Sequence, residues 1–310
     1  MLLGEQTHGH GTTFLAKTRL IKFLHQRMGF DVLAFESGLY DCAKAWDYML
    51  AGEAPDQAFR RGVFGVWNGS EQIQPLIRYL GASARAARPL ELAGFDSQLT
   101  ATASRDFLLS DLEKFLQSHG IAAAKVQGWA DLGTLLNAQT SSGAPSAERL
   151  RSASAALDEL RARVTALPGD PARYGSVFWA QMLESLTAQT AGQEAVLKAL
   201  QESTTAQGNR GLQALGNKAS YLRSWRDVQM GKNFLWLARQ RYPARKIIVW
   251  AATYHTMRNA ETIVNPAQPN EYKYFLTMGQ VIWEAMGEET YNIGFVASEG
   301  SAGWWRHAPQ

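Results

Sequence analysis

The first residues of the chain bring together side chains that could act as a base, an acid or a metal ligand. Glu5, His8 and His10 lie within six consecutive positions, with glycines before, between and after them. Such glycines let a ligand approach the backbone closely. A histidine with a pKa of about 6.5 is a good general base at pH 7, and a neighbouring carboxylate stabilises the imidazolium that forms. We therefore expect a reactive turn in which Glu5 or Glu36 supports His8.

Short strands alternating with helices must position this turn. A short apolar run leads into it, and a helical pattern follows over residues 12–28, with Thr12 or Thr13 as the expected N-cap. Apolar runs at residues 30–35 and 90–95 predict two further strands. This alternation predicts parallel strands with helical crossovers, whose carboxyl ends lie at one edge of the sheet. Ligands bind at that edge in open α/β sheets, so the turn is expected there.

The middle of the chain has a different pattern. Ala, Leu, Gln, Glu and Arg dominate it, strand patterns are absent, and helical patterns recur at residues 104–119, 130–138, 147–166, 177–207 and 220–240. Strand patterns return at residues 247–252 and 291–298. The sequence therefore predicts an α/β fold whose central, mostly parallel sheet is flanked by helices, with a large helical insertion between the third and fourth strands. Its expected parts are an N-terminal core (1–100), the insertion or cap (101–240) and a C-terminal core (241–310).

Polar side chains follow four of the predicted strands. Besides the first turn, Glu36, Asp96 and His255 each stand at the end of an apolar run, and together they predict one shared site. The chain has no Gly-x-Ser-x-Gly elbow, which disfavours an ordinary serine hydrolase. Activation of water by a histidine is then the simpler chemistry. Lys17, on the helix after the turn, is a candidate to stabilise an oxyanion or to anchor the substrate.

Two other functions are compatible with the same residues. His8 and His10 form a His-x-His pair that, with Glu36 and His255, could bind zinc or iron in a metal-dependent hydrolase. The chain could also be a non-catalytic ligand-binding protein with a degenerate site. The spacing of the residues does not decide between these alternatives.

Composition narrows the choice of partner and compartment. The net charge of +3, without long basic runs, disfavours nucleic-acid binding, and no apolar stretch is long enough to predict a membrane-spanning helix. The single cysteine, Cys42, excludes an internal disulfide and a cysteine-based zinc site. We expect a small-molecule substrate and a cytoplasmic location, with an export signal upstream of a truncated N-terminus as the alternative. The sequence gives no indication of oligomeric state.

A series of motifs resembles one known family. In chain order they are Gly4-Glu5-Gln6-Thr7-His8-Gly9, Phe35-Glu36, Gly65-Val66-Trp67, Gly94-Phe95-Asp96, Arg226-Asp227 with Met230 and Asn233, Val249-Trp250-Ala251 with His255, Met278-Gly279, and Tyr291-Asn292-Ile293-Gly294-Phe295. Together they resemble the erythromycin esterase family over most of the chain, with the middle helices poorly matched. The resemblance implies a macrolide esterase-like hydrolase that cleaves an ester or macrolactone, an activity of antibiotic resistance enzymes.

The resemblance also implies roles for individual residues. His8 would be the general base acting on water, without a metal or another cofactor, and Glu5, Glu36 and His255 would be supporting catalytic groups. Residues expected to bind the ester or macrolide substrate are Lys17, Trp67, Asp96 and Arg226. The family commonly has a histidine and an asparagine where this chain has Ala252 and Thr253, so we expect an altered substrate pocket.

Overall fold

The protein folds around one parallel sheet. The structure, a computed structural model, describes residues 1–138, 145–206, 217–266, 272–300 and 302–303. Within these residues the sheet has five strands in the order β3-β2-β4-β1-β5. All strand pairings are parallel, which confirms the predicted α/β fold. The strands are β1 (Leu2–Glu5), β2 (Phe30–Gly38), β3 (Glu91–Asp96), β4 (Lys246–Ala252) and β5 (Asn292–Phe295).

Helices cover both faces of the sheet because alternate residues of each strand point to opposite sides. In β4, Ile248 and Trp250 belong to one hydrophobic cluster, whereas Val249 and Ala251 belong to the other. The first cluster is covered mainly by helices of the N-terminal part. These are α1 (Gly11–Met28), α2 (Leu39–Leu50), α3 (Pro55–Gly62), α4 (Gly65–Asn68) and α5 (Gln74–Ser83).

The helical insertion covers the second cluster. It contains α6 (Leu109–Ser118), α7 (Trp129–Ala138), α8 (Ala147–Thr165), α9 (Ser176–Ala206) and α10 (Asn217–Trp236). Asn233 of α10 donates a hydrogen bond through its side-chain amide to the backbone oxygen of Phe95, 2.9 Å away, and so joins the insertion to β3. Because the insertion shares one hydrophobic cluster with the sheet, the division at residues 100 and 240 stays a prediction. Residue 207, the predicted end of one helix, lies outside the described residues.

The described residues of the C-terminal part include two short α-helices. They are α11 (Thr253–Thr256), directly after β4, and α12 (Met278–Met286). No helix in the described ranges is long and apolar enough to cross a membrane.

Three local expectations need correction. The helix after the first turn begins at Gly11 with His10 at its N-cap, rather than at Thr12 or Thr13, because the amide of Thr13 already bonds to the His10 backbone oxygen. The aromatic, glycine-punctuated sequence of residues 63–69 predicts a loop, but Gly65–Asn68 forms the short helix α4, in which Trp67 is fully buried. Glu5 is the last residue of β1 and not a turn residue.

A buried carboxyl group connects α2 with the start of the insertion. Asp41 is fully buried, and its Oδ1 accepts a hydrogen bond from the backbone N–H of Ser104 at 2.6 Å. Its Oδ2 has no hydrogen-bond partner among the described residues. Burial raises the pKa of Asp41 to about 7, although the hydrogen bonds from Ser104 oppose this.

We predict that Asp41→Asn alters how stability depends on pH. A carboxyl group whose pKa is higher in the folded than in the unfolded state stabilises the fold fully below the unfolded pKa, and this stability is lost as pH rises towards 7. The asparagine variant lacks this loss. Between pH 4 and pH 8, the free energy of unfolding of the variant, measured with urea, should therefore rise by roughly 2–4 kcal/mol relative to that of the wild type. Asp56→Asn, at an exposed position of α3, is the control, and identical pH dependence in Asp41→Asn and the wild type would contradict the prediction.

Candidate active site

The carboxyl edge of the sheet brings the predicted polar residues together. Glu5 and Asp96 are the last residues of β1 and β3, and Glu36 lies two residues before the end of β2. His255 lies in α11, directly after β4. Glu5 is the register partner of Ala252, and Glu36 Oε2 accepts a hydrogen bond from the Ala252 N–H at 2.9 Å. The two glutamates therefore lie on the strands that flank β4, and their backbones are separated by two strand spacings, roughly 10 Å.

The first group of contacts surrounds Glu5, whose side chain is fully buried. His8 Nδ1 lies 3.0 Å from Glu5 Oε1, and the same oxygen accepts a hydrogen bond from the Trp67 indole at 2.9 Å. The Trp67 ring also packs edge-on against the His8 ring, with centroids 5.1 Å apart. Lys17 bonds to the other carboxylate oxygen, Oε2. Glu5 is thus held in one orientation, with one oxygen directed at His8.

The sequence predicts that Lys17 and Trp67 bind the substrate, but in the structure neither side chain is open to solvent. Both side chains are 0% exposed. The Lys17 ammonium contacts Glu5, lies 3.3 Å from the backbone oxygen of Ala251 and stands 4.0 Å above the Trp250 ring. Burial lowers the pKa of Lys17, and the charge of Glu5 counteracts this. These contacts place both residues behind Glu5, and direct contact with a substrate stays a prediction for each.

The second group of contacts surrounds Arg226 of α10. Its Nη2 donates to Asp96 Oδ2 at 2.6 Å and to Glu36 Oε1 at 2.9 Å, and its Nε donates to Asp96 Oδ1 at 3.1 Å. Burial opposes the charge of Arg226, but Asp96 and Glu36 together raise its pKa. Its side chain keeps 27% exposure, whereas the Asp96 side chain keeps 1%. Arg226 is therefore the member of this group with the greater access to solvent.

His255 completes the second group through a residue that the sequence did not single out. Its Nε2 lies 3.2 Å from Glu36 Oε1, and its Nδ1 lies 2.9 Å from an oxygen of Asp227, the neighbour of Arg226. Asp227 stands in the Arg226-Asp227 motif, which is the only pattern that could have indicated it. The spacing of 28 positions to His255 gives no sign of their contact.

These contacts separate the protonation states of Glu36 and His255. Burial would lower the pKa of His255, but Glu36 and Asp227 raise it to about 10. Burial would raise the pKa of Glu36, but His255, Arg226 and the Ala252 N–H lower it to about 2. At pH 7, Glu36 is an anion and His255 a cation, so neither is ready to accept a proton from water.

Two cavities adjoin the two groups. One of about 670 Å³ is lined by His8, Arg60, Phe64, Val66 and neighbouring residues of the first turn and of residues 68–72. The other, of about 340 Å³, lies among helices of the insertion beside Ser97 and Gln98, which follow β3, and is lined by Trp225, Arg226 and residues of α9. Both are in the range that holds small organic ligands. The protein therefore has room for a small ligand beside His8 of the first group and beside Arg226 of the second.

The four residues of the metal hypothesis do not form one donor set. Among the described residues, no group of three or more His, Cys, Asp or Glu side chains is arranged to hold a metal ion. His10 Nδ1 faces the Thr13 hydroxyl at 2.7 Å. Glu36 and His255 face each other and Arg226, whose guanidinium occupies the space beside the carboxylate. As placed here, His8, His10, Glu36 and His255 do not converge as the ligands of one metal ion.

We predict that Glu36→Gln lowers the pKa of His255. The substitution removes one of the two carboxylates that hold the imidazolium, while Asp227 remains. The pKa should fall from about 10 by one pH unit or more and stay above 6.5, as measured by ¹⁵N NMR titration of the imidazole. Glu184→Gln, whose side chain pairs with Arg161 on the insertion, is the control. An unaltered titration in Glu36→Gln would show that Glu36 does not stabilise the charge on His255.

Sequence comparisons relate the chain to a family of known proteins. The profile of the erythromycin esterase family matches residues 25–310. A Bacillus subtilis (strain 168) protein named "Putative hydrolase YbfO" is 28% identical over 316 aligned positions, which cover 97% of this chain and 65% of that protein. The chain thus spans about two-thirds of the length of this relative. The alignment to the relative takes in nearly the whole chain, whereas the profile match begins after the first turn and α1.

Solved structures share the fold at lower identity. A Bacillus cereus protein superimposes with a TM-score of 0.67 at 17% identity, covering 94% of this chain and 64% of that one. A histidine-to-asparagine mutant of erythromycin esterase EreC, in its open conformation, has a TM-score of 0.64 at 20% identity, covering 94% of this chain and 69% of that one. At these identities the likeness concerns the fold, including the helical insertion.

Proposed function

Because the chain belongs to the erythromycin esterase family, we propose that it is a hydrolase that cleaves a carboxylic ester or macrolactone with a water molecule activated by His8. The contact between Glu5 and His8 carries this proposal. A buried carboxylate 3.0 Å from Nδ1 fixes the tautomer whose basic lone pair is on Nε2, and it stabilises the imidazolium after proton transfer. The name of the Bacillus subtilis relative supports a hydrolytic reaction.

The reaction follows from these contacts in two steps. His8 Nε2 takes a proton from water while the water oxygen forms a bond to the ester carbonyl carbon, which gives a tetrahedral intermediate with a negative oxygen. The carbonyl then re-forms, the bond to the alkoxy oxygen breaks, and the imidazolium returns its proton to that oxygen. The products are a carboxylic acid and an alcohol. Lys17 and Trp67 act by holding Glu5 beside His8 throughout.

The substrate lies in the cavity of about 670 Å³ that His8 lines, which suits a small-molecule ester or a macrolide. Arg226 is exposed to 27% but lines the smaller cavity, so it is a candidate cation only for a part of the substrate that reaches that cavity, whereas Lys17 is fully buried. Asp96 then acts by holding Arg226. Ala252 and Thr253 stand where the family commonly has a histidine and an asparagine, and the Ala252 N–H bonds to Glu36, so we expect the substrate pocket to differ from that of macrolide esterases.

We predict that His8→Ala abolishes ester hydrolysis without unfolding the protein. Loss of a general base removes a contribution of about 10²–10⁴-fold, so kcat/KM should fall by at least 10²-fold. The measurement is mass spectrometry, in which hydrolysis adds one water to a macrolactone and splits a simple ester into an acid and an alcohol. His10→Ala is the matched control, because His10 lies on the same turn but faces Thr13. The proposal would be contradicted if His8→Ala still hydrolysed the ester. It would also be contradicted if a metal chelator abolished hydrolysis by the wild type.

We predict that Trp67→Phe lowers kcat about tenfold and leaves KM within about twofold. Phenylalanine keeps the ring against His8 but removes the indole N–H that bonds to Glu5, which is the loss of one hydrogen bond to a charged group. Trp283→Phe, at a 41% exposed position of α12, is the control. The two constants come from steady-state kinetics with any ester that the wild type cleaves. A rise in KM at constant kcat would instead assign Trp67 to substrate binding.

A further inference from the structure

Both ring nitrogens of His255 face carboxylates. Nδ1 lies 2.9 and 3.1 Å from the two oxygens of Asp227, and Nε2 lies 3.2 Å from Glu36 Oε1. An ionised carboxylate only accepts hydrogen bonds, so each contact requires a proton on the nitrogen that faces it. The geometry therefore calls for an imidazole protonated at both positions.

One contact opposes this protonation state. Arg226 Nη1, which can only donate, lies 3.1 Å from His255 Nε2. The balance of charge decides the matter, because Glu36, Asp96 and Asp227 carry three negative charges in this group and Arg226 carries one positive charge. A cationic His255 brings the group closer to neutrality. Among the described residues, the Tyr254 ring also packs on the imidazole, edge-on with centroids 5.2 Å apart.

Asp227 is held independently of His255. Its side chain is 2% exposed, and its Oδ1 also accepts a hydrogen bond from the backbone N–H of Met278, 3.0 Å away, at the start of α12. The next residue, Gly279, has no room for a side chain, because a Cβ there would collide with the backbone oxygen of Thr256 in α11. α12 can therefore approach the turn that carries His255. The backbone of α10 and the Met278 N–H of α12 therefore fix the Asp227 carboxylate without help from the imidazole.

We propose that Asp227 is a positioning residue that holds His255 as a doubly protonated imidazolium, so that His255 is a fixed charged donor to Glu36 and not a second base. The inference rests on the proposed hydrolysis, in which His8 takes the proton from water. Asp227 and Met278 orient the imidazolium, and His255 and Arg226 then fix both sides of Glu36 Oε1. In this arrangement Asp227 acts on the reaction through His255, without touching the substrate.

The first test uses the wild-type protein and needs no activity. In ¹⁵N NMR of selectively labelled histidine, assigned by comparison with His255→Gln, the signals of His255 should show both nitrogens protonated from pH 6 to pH 9. The expected titration lies near the pKa of about 10. A neutral imidazole at pH 7.5 overturns the proposal, whether or not the protein cleaves any ester.

The second test is Asp227→Asn, which keeps the shape of the side chain and removes its charge. The pKa of His255 should fall by one pH unit or more, and the high-pH limb of the kcat profile should move down by the same amount. For a fall of one pH unit we expect about a fivefold loss of kcat at pH 10, where about half of the wild-type imidazole and about a tenth of the variant imidazole is protonated, with little loss at pH 7 and KM within about twofold. Asp227→Glu, which restores the charge, should recover part of the kcat and return the limb towards its wild-type position. A purely structural role would lower kcat at every pH and leave the limb in place, and that outcome overturns the proposal.

Asp158→Asn is the matched control, because Asp158 lies on α8 at the exposed side of the insertion and pairs there with Arg161. It should leave both the titration of His255 and the kcat profile unaltered. If Asp227→Asn does not fold, the wild-type titration and Asp227→Glu still decide the question. The absence of ester hydrolysis in the wild type, with His255 doubly protonated, would refute the proposed function while leaving the assignment of Asp227 to His255 in place.

Discussion

Buried negative charge at the carboxyl edge of the sheet is the constraint on which the rest of the site depends. Glu5, Glu36, Asp96 and Asp227 are each at most 4% exposed. Removing a carboxylate from water is costly unless cations and hydrogen-bond donors replace the lost hydration. Lys17, Arg226 and His255 supply those charges, and each comes from a different helix: α1, α10 and α11. The helices must therefore pack where they do for the carboxylates to be tolerated.

Because of this constraint, the helical insertion contributes side chains to the site as well as covering one face of the sheet. α10 brings Arg226 and Asp227 to the sheet edge, and Asn233 on the same helix bonds to the backbone of β3. A displacement of α10 would leave Glu36 and Asp96 without their guanidinium, and breaking such a buried pair typically costs about 3–5 kcal/mol. The position of the insertion is thus coupled energetically to the integrity of the site.

The sequence was sufficient for the sheet and for the residues at strand ends. Short apolar runs predicted the strands, and parallel topology then placed Glu5, Glu36, Asp96 and His255 at one edge. It was not sufficient for Asp227, because the contact with His255 depends on how α10 packs against α12, which no local pattern encodes. It also could not show that Lys17 and Trp67 lie behind Glu5, since helical periodicity does not distinguish a residue facing the core from one facing a cleft at the end of the sheet.

The arrangement also divides the work between the two groups in the proposed reaction. Proton transfer from water creates a positive imidazolium and a negative oxygen at the same moment, so the net charge of the site is unchanged and only its distribution shifts. The positive charge forms beside Glu5, which Lys17 and Trp67 keep in place. Because His255 and Glu36 already carry their charges at pH 7, the second group does not compete for the proton. A base on one side and a charge-balanced, fixed group on the other give a site in which only His8 needs to change its protonation state.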